Sequence, residues 1–264
     1  MKKLPLILTS LTAVLAAFSI STSSAATLSG DWLSSPNQAN NSSSTWQFYQ
    51  NCYAGSEATL GNDFLPSFTT TMYGQPLQAW YQNDTANGSN NAMIGKAVTA
   101  GLASFTGPNG YIQGAHPQGT VLMTPQYVDN TSATEVKGIG IGFLASGSGN
   151  YNYSINIQDV ASGYYRWRLD TISTSNAITN LGVSSFLNGG DVILNNSVAL
   201  GTGDRLVFTI SLQPQFDAAG QYPMLRVNDF TVVPEPSTVA LLGGSVFALA
   251  LGRYRMRKGL HKGA

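Results

Sequence analysis

Hydrophobic and polar residues alternate with a period of two in several short stretches of this chain, and that period is the signature of a half-buried β-strand. Four stretches carry it most clearly: VKGIGIGFLA, YNYSINIQ, YYRWRLDTI and RLVFTISL. The residues that the alternation places on one face of each strand are Ile139, Ile141 and Phe143; Tyr151, Tyr153, Ile155 and Ile157; Tyr165, Trp167 and Leu169; Leu206, Phe208, Ile210 and Leu212.

Further strands are predicted outside these four. TVLMTPQYV and PMLRVNDFTVV are strand candidates, and the glycines of NNAMIGKAVTAGLASF favour a strand over a helix there. The glycines between the apolar residues of VKGIGIGFLA suit a strand that a neighbour approaches closely. The polar segments at 38–45 and 83–91 are predicted loops.

Many short strands separated by Gly and Asn turns, with no long helical period, predict an all-β fold. We expect one jelly-roll-like β-sandwich over residues 27–232. The chain has 264 residues, which is long enough to form such a core without a disulfide.

Charge is scarce and unevenly distributed. Charged residues make up 10% of the chain; seven of its 13 basic residues lie in the two ends, and 12 of its 13 acidic residues lie between them. The body therefore carries a net charge of about −6. A mildly acidic body has no electrostatic footprint for nucleic acid, so no such partner is predicted.

The N-terminus reads as a secretory signal peptide over residues 1–26. Lys2 and Lys3 precede an apolar run, and the run ends in the small residues STSSAA. Those small residues argue against a permanent membrane helix. Cleavage is predicted after Ala25 or Ala26.

A second apolar run lies near the C-terminus. It extends from Thr238 to Leu251 and is followed by the basic residues Arg253, Arg255, Arg257 and Lys258. A helix of that length covers about 21 Å, which basic side chains can extend by snorkelling. The run is apolar on all faces, so we expect a transmembrane helix with a cytoplasmic basic stop.

The segment before this run holds two prolines around a glutamate. Pro234 and Pro236 fix their own φ angles and favour extended preceding residues, so the segment is predicted to be stiff and exposed. The order VPEPST, apolar helix, RYRMRK resembles a PEP-CTERM protein-sorting tail. The resemblance covers residues 233–258, and residues 259–264 form a short tail beyond it.

The resemblance implies a route. It implies a Gram-negative bacterium, with the secretion machinery and an exosortase as partners and the membrane as a temporary anchor. The predicted recognition residues are Val233, Pro234, Glu235, Pro236 and Ser237, with Glu235 in recognition and not in catalysis. The expected locations are an inner-membrane-tethered precursor and then the cell surface or extracellular matrix.

A second resemblance concerns the body. YIQGAHPQGTVLMTPQYV is similar to a stretch of many PEP-CTERM proteins in which a His-Pro-Gly-like turn precedes a strand, and LGTGDRLVFTI is similar to a later element. The present chain departs from the pattern, because Gln118 stands between Pro117 and Gly119. The resemblance implies a sandwich like those of carbohydrate-binding modules.

The residues that enzymes use are few. The chain has one cysteine, Cys52, which we interpret as a buried thiol, and His116 is the only histidine of the body, interpreted as a turn residue. One Cys and one His do not supply a usual zinc ligand set, and the carboxylates are scattered. The sequence therefore predicts no catalytic residues, no metal and no cofactor.

Sugar binding would need aromatic platforms beside side-chain amides. Trp80, next to the polar loop after AWYQND, is the preferred platform, and Tyr81 and Trp46 are further candidates. Trp167 is expected in the core instead.

Three functions stay open. The preferred one is an exported non-enzymatic surface or matrix protein whose body is a candidate binder of exopolysaccharide. The alternatives are a secreted polysaccharide-modifying enzyme with the same tail, and a protein-binding adhesin or scaffold.

Overall fold

The structure is a computed structural model that describes residues 24–32, 45–52, 64–65, 67–70, 76–81, 93–98, 116–125, 136–160, 164–185, 187–188, 190–212 and 224–235. The chain divides into two units. One is the body, Ala25–Val233, and the other consists of the end segments Met1–Ser24 and Pro234–Ala264. Within the described residues the regular structure is all strand, so the all-β prediction is confirmed.

The strands of the body form two antiparallel sheets. Sheet A has the order β12 (Val192–Leu200), β8 (Gly149–Asp159), β14 (Leu225–Pro234), β6 (Val121–Thr124), β5 (Met93–Ala97), β4 (Leu77–Tyr81) and β3 (Ser67–Thr69), with β1 (Ala26–Thr27) also paired to β14. Sheet B has the order β10 (Ile178–Val183), β9 (Tyr164–Ile172), β13 (Arg205–Leu212), β7 (Val136–Leu144) and β2 (Trp46–Cys52), with β11 (Leu187–Asn188) also paired to β9.

From β6 onward the chain repeatedly crosses between the sheets. Strands β6, β8, β12 and β14 lie in sheet A, while β7, β9 and β13 lie in sheet B. Such alternation is the connectivity of a sandwich in which each long strand returns on the opposite layer. It agrees with the two-layered architecture predicted from the sequence.

The main core consists of side chains from both sheets. The predicted faces of β7 and β8 are buried there, and so are Leu206, Phe208 and Ile210 of β13. Tyr165 and Leu169 of β9 are also in this core, and Trp167 packs against it, with its ring stacked on Phe208 at a centroid distance of 6.2 Å. The period-two predictions are therefore confirmed for these strands; the side chain of Leu212 lies outside the described residues.

The remaining strand predictions are also confirmed where the structure describes them. TVLMTPQYV contains β6, PMLRVNDFTVV contains β14, and NNAMIGKAVTAGLASF contains β5. The segments 38–44 and 83–91, predicted as loops, lie outside the described residues.

Two glycines of β7 let neighbouring groups approach the backbone. A Cβ at Gly138 would lie 1.5 Å from the carbonyl oxygen of Ile210 on β13. A Cβ at Gly142 would lie 2.7 Å from Cε2 of Tyr49, whose ring covers that position from β2. The close packing expected of VKGIGIGFLA is thus confirmed, and its cause is a neighbouring strand at one glycine and an aromatic ring at the other.

Candidate functional site

The aromatic platforms predicted from the sequence are mostly core residues. Trp46 is fully buried and Trp80 is 1% exposed, and both belong to the main core. Trp46 packs edge-on against Phe143 and Phe230. A ring enclosed in this way cannot stack on a sugar, so the prediction of Trp80 and Trp46 as platforms is wrong.

The error at Trp80 has a physical reason. The polar loop that follows AWYQND indicated exposure, but Trp80 alternates onto the inner face of β4, where Phe48 and Phe68 flank it. Tyr81, the next residue, points to the other face and is partly buried against a second apolar cluster. Tyr81 stays a predicted sugar contact that no observation tests.

His116 lies just before a tight turn, as the sequence predicted. The turn closes with a hydrogen bond from Thr120 N–H to the carbonyl of Pro117 (3.2 Å), and Gly119 adopts a left-handed φ of 85°. His116 is 2% exposed. Burial, aided by the positive charge of Arg226, lowers the pKa of His116 below its ordinary value. A buried and neutral imidazole is not positioned to activate a nucleophile at the surface.

The outer face of sheet B carries a buried polar cluster that the sequence reasoning missed. On β9, Arg168 Nε donates to Asp170 Oδ1 at 2.7 Å, and Asn180 Nδ2 of β10 donates to the same oxygen at 3.0 Å. Asp170 is fully buried and Arg168 is 8% exposed. The sequence contained a signal for this ion pair. Arg168 and Asp170 are two residues apart, and a strand places residues at that spacing on the same face.

A second group of polar side chains lies on the same face. Arg205 donates to Asn176 Oδ1 at 2.9 Å and to the hydroxyl of Tyr49 at 3.5 Å, and Tyr49 donates to Gln47 Oε1 at 2.5 Å. Tyr49 and Gln47 are buried. These hydrogen bonds connect β13, β2 and the turn between β9 and β10 within the folded body.

The described acidic side chains are mostly engaged in turns and pairs. Asp204 accepts backbone hydrogen bonds from Thr174 (3.1 Å) and Gly201 (2.7 Å). Within the described residues, no three His, Cys, Asp or Glu side chains form a group that could hold a metal ion. Cys52 ends β2, but its side chain lies outside the described residues, so its interpretation as a buried thiol stays a prediction.

Asp159 and Asp191 both affect the pKa of Tyr165. Burial raises the pKa of Tyr165, and the negative charges of Asp159 and Asp191 raise it further. Tyr165 is fully buried and donates its hydroxyl hydrogen to the carbonyl of Gly190 at 2.8 Å. Asp191 is exposed. Both aspartates therefore lie near Tyr165 in the described part of the chain.

The two ends of the body meet in sheet A, at strand β14. Ala26 and Thr27 of β1 pair with Val232 and Thr231 of β14. Leu28 N–H donates to the carbonyl of Phe230 at 2.9 Å and extends the pairing by one residue. The residue at the predicted signal cleavage point therefore lies beside the residue that precedes the predicted sorting motif.

A local turn fixes the N-terminal end of this pairing. Thr27 N–H donates to Asp31 Oδ2 at 2.8 Å, and Asp31 N–H donates to the carbonyl of Thr27 at 2.9 Å. Lys96 Nζ donates to the carbonyl of Ser29 at 2.5 Å. Leu28 is buried in the main core, so the first residues after the predicted cleavage point are an integral part of the fold.

The predicted recognition residues begin at the C-terminal end of β14. Val232 is fully buried, whereas Val233 is 37% exposed and Glu235 is exposed. Pro234 is the last residue of β14, so the extended conformation expected around the first proline is confirmed. Pro236 and Ser237 lie outside the described residues.

The remaining predictions about the ends also fall outside the described residues. These are the signal peptide up to Ser23, the apolar run from Thr238 to Leu251, and the basic residues Arg253, Arg255, Arg257 and Lys258. A search of the described part of the chain finds no helix with the length and apolar character to span a membrane.

Comparison with known proteins gives structural likenesses only. No family model matches the chain, and no curated protein matches it. The structure of CBM4 covers 58% of this chain and 92% of its own, at 12% identity and a TM-score of 0.31. TmCBM61 in complex with β-1,4-galactotriose covers 78% and 99%, at 9% identity and a TM-score of 0.32.

A third similar structure is the K1 cleaved adhesin domain of Lys-gingipain from Porphyromonas gingivalis W83. It covers 59% of this chain and 90% of its own, at 8% identity and a TM-score of 0.31. Likenesses this slight carry no argument about a ligand or an activity. The β-sandwich assignment rests on the two sheets described above.

Proposed function

We propose that this chain is an exported, non-enzymatic surface or matrix protein. An N-terminal signal directs it through the secretion machinery, and an exosortase processes its PEP-CTERM-like tail in a Gram-negative bacterium. The precursor is tethered to the inner membrane by the apolar run, and the released body is a β-sandwich on the cell surface or in the matrix.

The observation that carries this proposal is the position of the fold's limits. The body extends from Ala25 to Val233, and the last strand of the fold, β14, ends at Pro234, directly before the exposed Glu235. An enzyme that reads Pro-Glu-Pro needs an extended and accessible segment, and here the extended strand continues to Pro234.

The non-enzymatic part of the proposal is supported by the polar groups themselves. The Arg168–Asp170 pair and the Asp204 carboxylate are engaged in bonds within the sandwich, and His116 is buried. Exopolysaccharide is the proposed matrix contact. Of the three aromatic candidates only Tyr81 keeps a partly accessible side chain, so binding through Trp80 or Trp46 is no longer part of the proposal.

The sorting step is tested by replacing Pro234, Glu235 and Pro236 with Ala in a cell that carries the exosortase. We expect unprocessed precursor to accumulate in the membrane fraction, while the matched replacement of His261, Lys262 and Gly263 is processed normally. Normal release of the Pro234–Pro236 variant would contradict the proposal.

The enzymatic alternative has a separate test. The purified chain is incubated with exopolysaccharide, and new reducing ends or unsaturated products are measured for the unaltered chain and for Asp191→Asn. The proposal expects no turnover in either sample. Saturable turnover by the unaltered chain would replace the proposal with a polysaccharide-modifying enzyme, and its loss in Asp191→Asn would assign that carboxylate to the reaction.

A further inference from the structure

Strand β12 ends the path of sheet A in the described part of the chain. Its nine residues, VILNNSVAL, pair with β8 from Val192 opposite Ile157 to Leu200 opposite Gly149 without a register shift. A regular strand at the end of a sheet presents its outer N–H and C=O groups to any other strand that approaches.

Two hydrogen bonds show which residues of β12 point these groups outward. Directly after β8, Val160 N–H donates to the carbonyl of Met224 on the β14 side. Because successive residues of a strand direct their backbone groups to opposite sides, the odd-numbered residues of β8 face β12. Their partners are the even-numbered residues of β12, and the outward set is therefore Ile193, Asn195, Ser197 and Ala199.

The second bond agrees with this assignment. Ser197 N–H donates to the side-chain oxygen of Asn196 at 2.8 Å, which fits an N–H that points away from β8. The local bond occupies one donor of the outer edge. It would have to be exchanged for a main-chain bond when another strand docks.

Strand β12 itself has none of the sequence or register features that usually protect an edge strand from pairing. β12 contains no charged residue, no proline and no bulge, and Ile193 is 62% exposed. The corresponding edge of sheet B differs, since β10 has a register shift between Asn180 and Gly182. Asn180 also turns its amide back to the carbonyls of Leu169 and Gly182.

The sequence of β12 is complementary to itself. Two antiparallel copies of β12 can be aligned with Asn196 opposite Asn196. Ser197 then lies opposite Asn195, Val198 opposite Leu194, Ala199 opposite Ile193 and Leu200 opposite Val192. An antiparallel pair of two such strands therefore places apolar beside apolar and polar beside polar residues. No like charges oppose each other in that pair.

We propose that β12 pairs antiparallel with β12 of a second copy of this chain, on a two-fold axis through Asn196. In this register the outward residues meet outward residues: Ile193 faces Ala199 and Asn195 faces Ser197, each pair exchanging two main-chain hydrogen bonds. The two sheets A then form one continuous sheet across about eight new hydrogen bonds. This inference does not depend on the proposed function.

The register makes a specific crosslink possible. The two Asn196 residues form a pair without main-chain hydrogen bonds, in which the Cα atoms lie about 4.5 Å apart, within the range of a disulfide. The test uses the full-length chain in detergent with Asn196→Cys in a Cys52→Ser background. After mild oxidation we expect a disulfide-linked dimer on a non-reducing gel.

Ile193→Cys in the same background is the matched control. Ile193 is prominently exposed, but in the two-fold register it lies opposite Ala199, so the two copies of residue 193 are about 20 Å apart. We expect little dimer from it. Absence of the Asn196→Cys dimer, or equal crosslinking of both variants, would overturn the proposal.

A second measurement keeps Cys52 and avoids crosslinking. Sedimentation of the unaltered full-length chain is compared with Ile193→Lys and with Val183→Lys, whose position on β10 is 51% exposed. The proposal expects a dimer whose dissociation constant rises at least tenfold in Ile193→Lys and is unchanged in Val183→Lys. A monomer, or a dimer insensitive to Ile193→Lys, would contradict it.

Discussion

The burial of His116 makes the folding stability depend on pH. Its pKa in the folded body is lowered below the ordinary value of 6.5 by burial and by Arg226. The unfolded chain therefore binds more protons than the folded chain as the pH falls below about 6.5, and folding stability falls with it. Above that pH the imidazole is neutral in both states and this contribution disappears.

His116→Gln is expected to remove that dependence. The free energy of unfolding, measured in urea at pH 7.5 and pH 5.5, should fall less in the variant than in the unaltered chain. His261→Gln in the tail is the control and should retain the full pH dependence. An unchanged dependence in His116→Gln would show that another group is responsible.

The Arg168–Asp170 pair makes a second prediction for single residues. Removing one member of a buried ion pair leaves the other charge uncompensated, so Asp170→Leu should reduce the free energy of unfolding by about 3 kcal/mol. The double variant Arg168→Met with Asp170→Leu should recover much of that loss. The measurement is a double-mutant cycle in urea; a double variant as unstable as the sum of the single ones would contradict it.

Single residues were the hardest scale to predict from the sequence. Alternation assigned Ile155 and Leu169 to the core because burial follows the period of the strand itself. Trp80 was misassigned, since the polarity of a neighbouring loop does not report the face on which a strand residue lies. The Asn180 contact to Asp170 depends on which strand becomes a neighbour, and local sequence does not encode that.

At the level of the strand, the close packing of β7 against β13 and β2 requires glycine at two of its positions. Gly138→Ala would place a methyl group 1.5 Å from the Ile210 carbonyl oxygen, a backbone atom that can move only if β7 and β13 separate. We expect a loss of several kcal/mol in the free energy of unfolding, or failure to fold. Gly147→Ala, whose Cβ would meet only the Tyr151 hydroxyl at 3.9 Å, is the control and should cost about 1 kcal/mol or less. Equal stability of the two variants would contradict this explanation.

The sequence predicts that strand β14 exists but does not predict that it pairs with β1. Its existence and extended end follow from PMLRVNDFTVV and from Pro234. Its pairing with β1 could not be read from sequence, because Ala26 and Thr27 are too few for a strand pattern and lie about 200 residues away. The pairing arises because Leu28 enters the core beside Phe230.

At the scale of the whole molecule, composition and alternation were sufficient for the sandwich. Many short strands with few charges favour an arrangement in which two sheets bury their apolar faces against each other. Strand order and the way that the ends of the body meet depend on long-range pairing, which periodicity does not specify. The sorting role of the tail rests on its resemblance and stays a prediction.

Processing at both ends is tested most directly by the mass of the mature protein. Intact-mass and terminal-peptide mass spectrometry of the protein recovered from the cell surface should give an N-terminus at Ala26 or Thr27. The C-terminus should lie at or near Pro234-Glu235-Pro236, with the apolar run and basic residues absent. Surface protein that retains the chain through to Ala264 would contradict the proposed function.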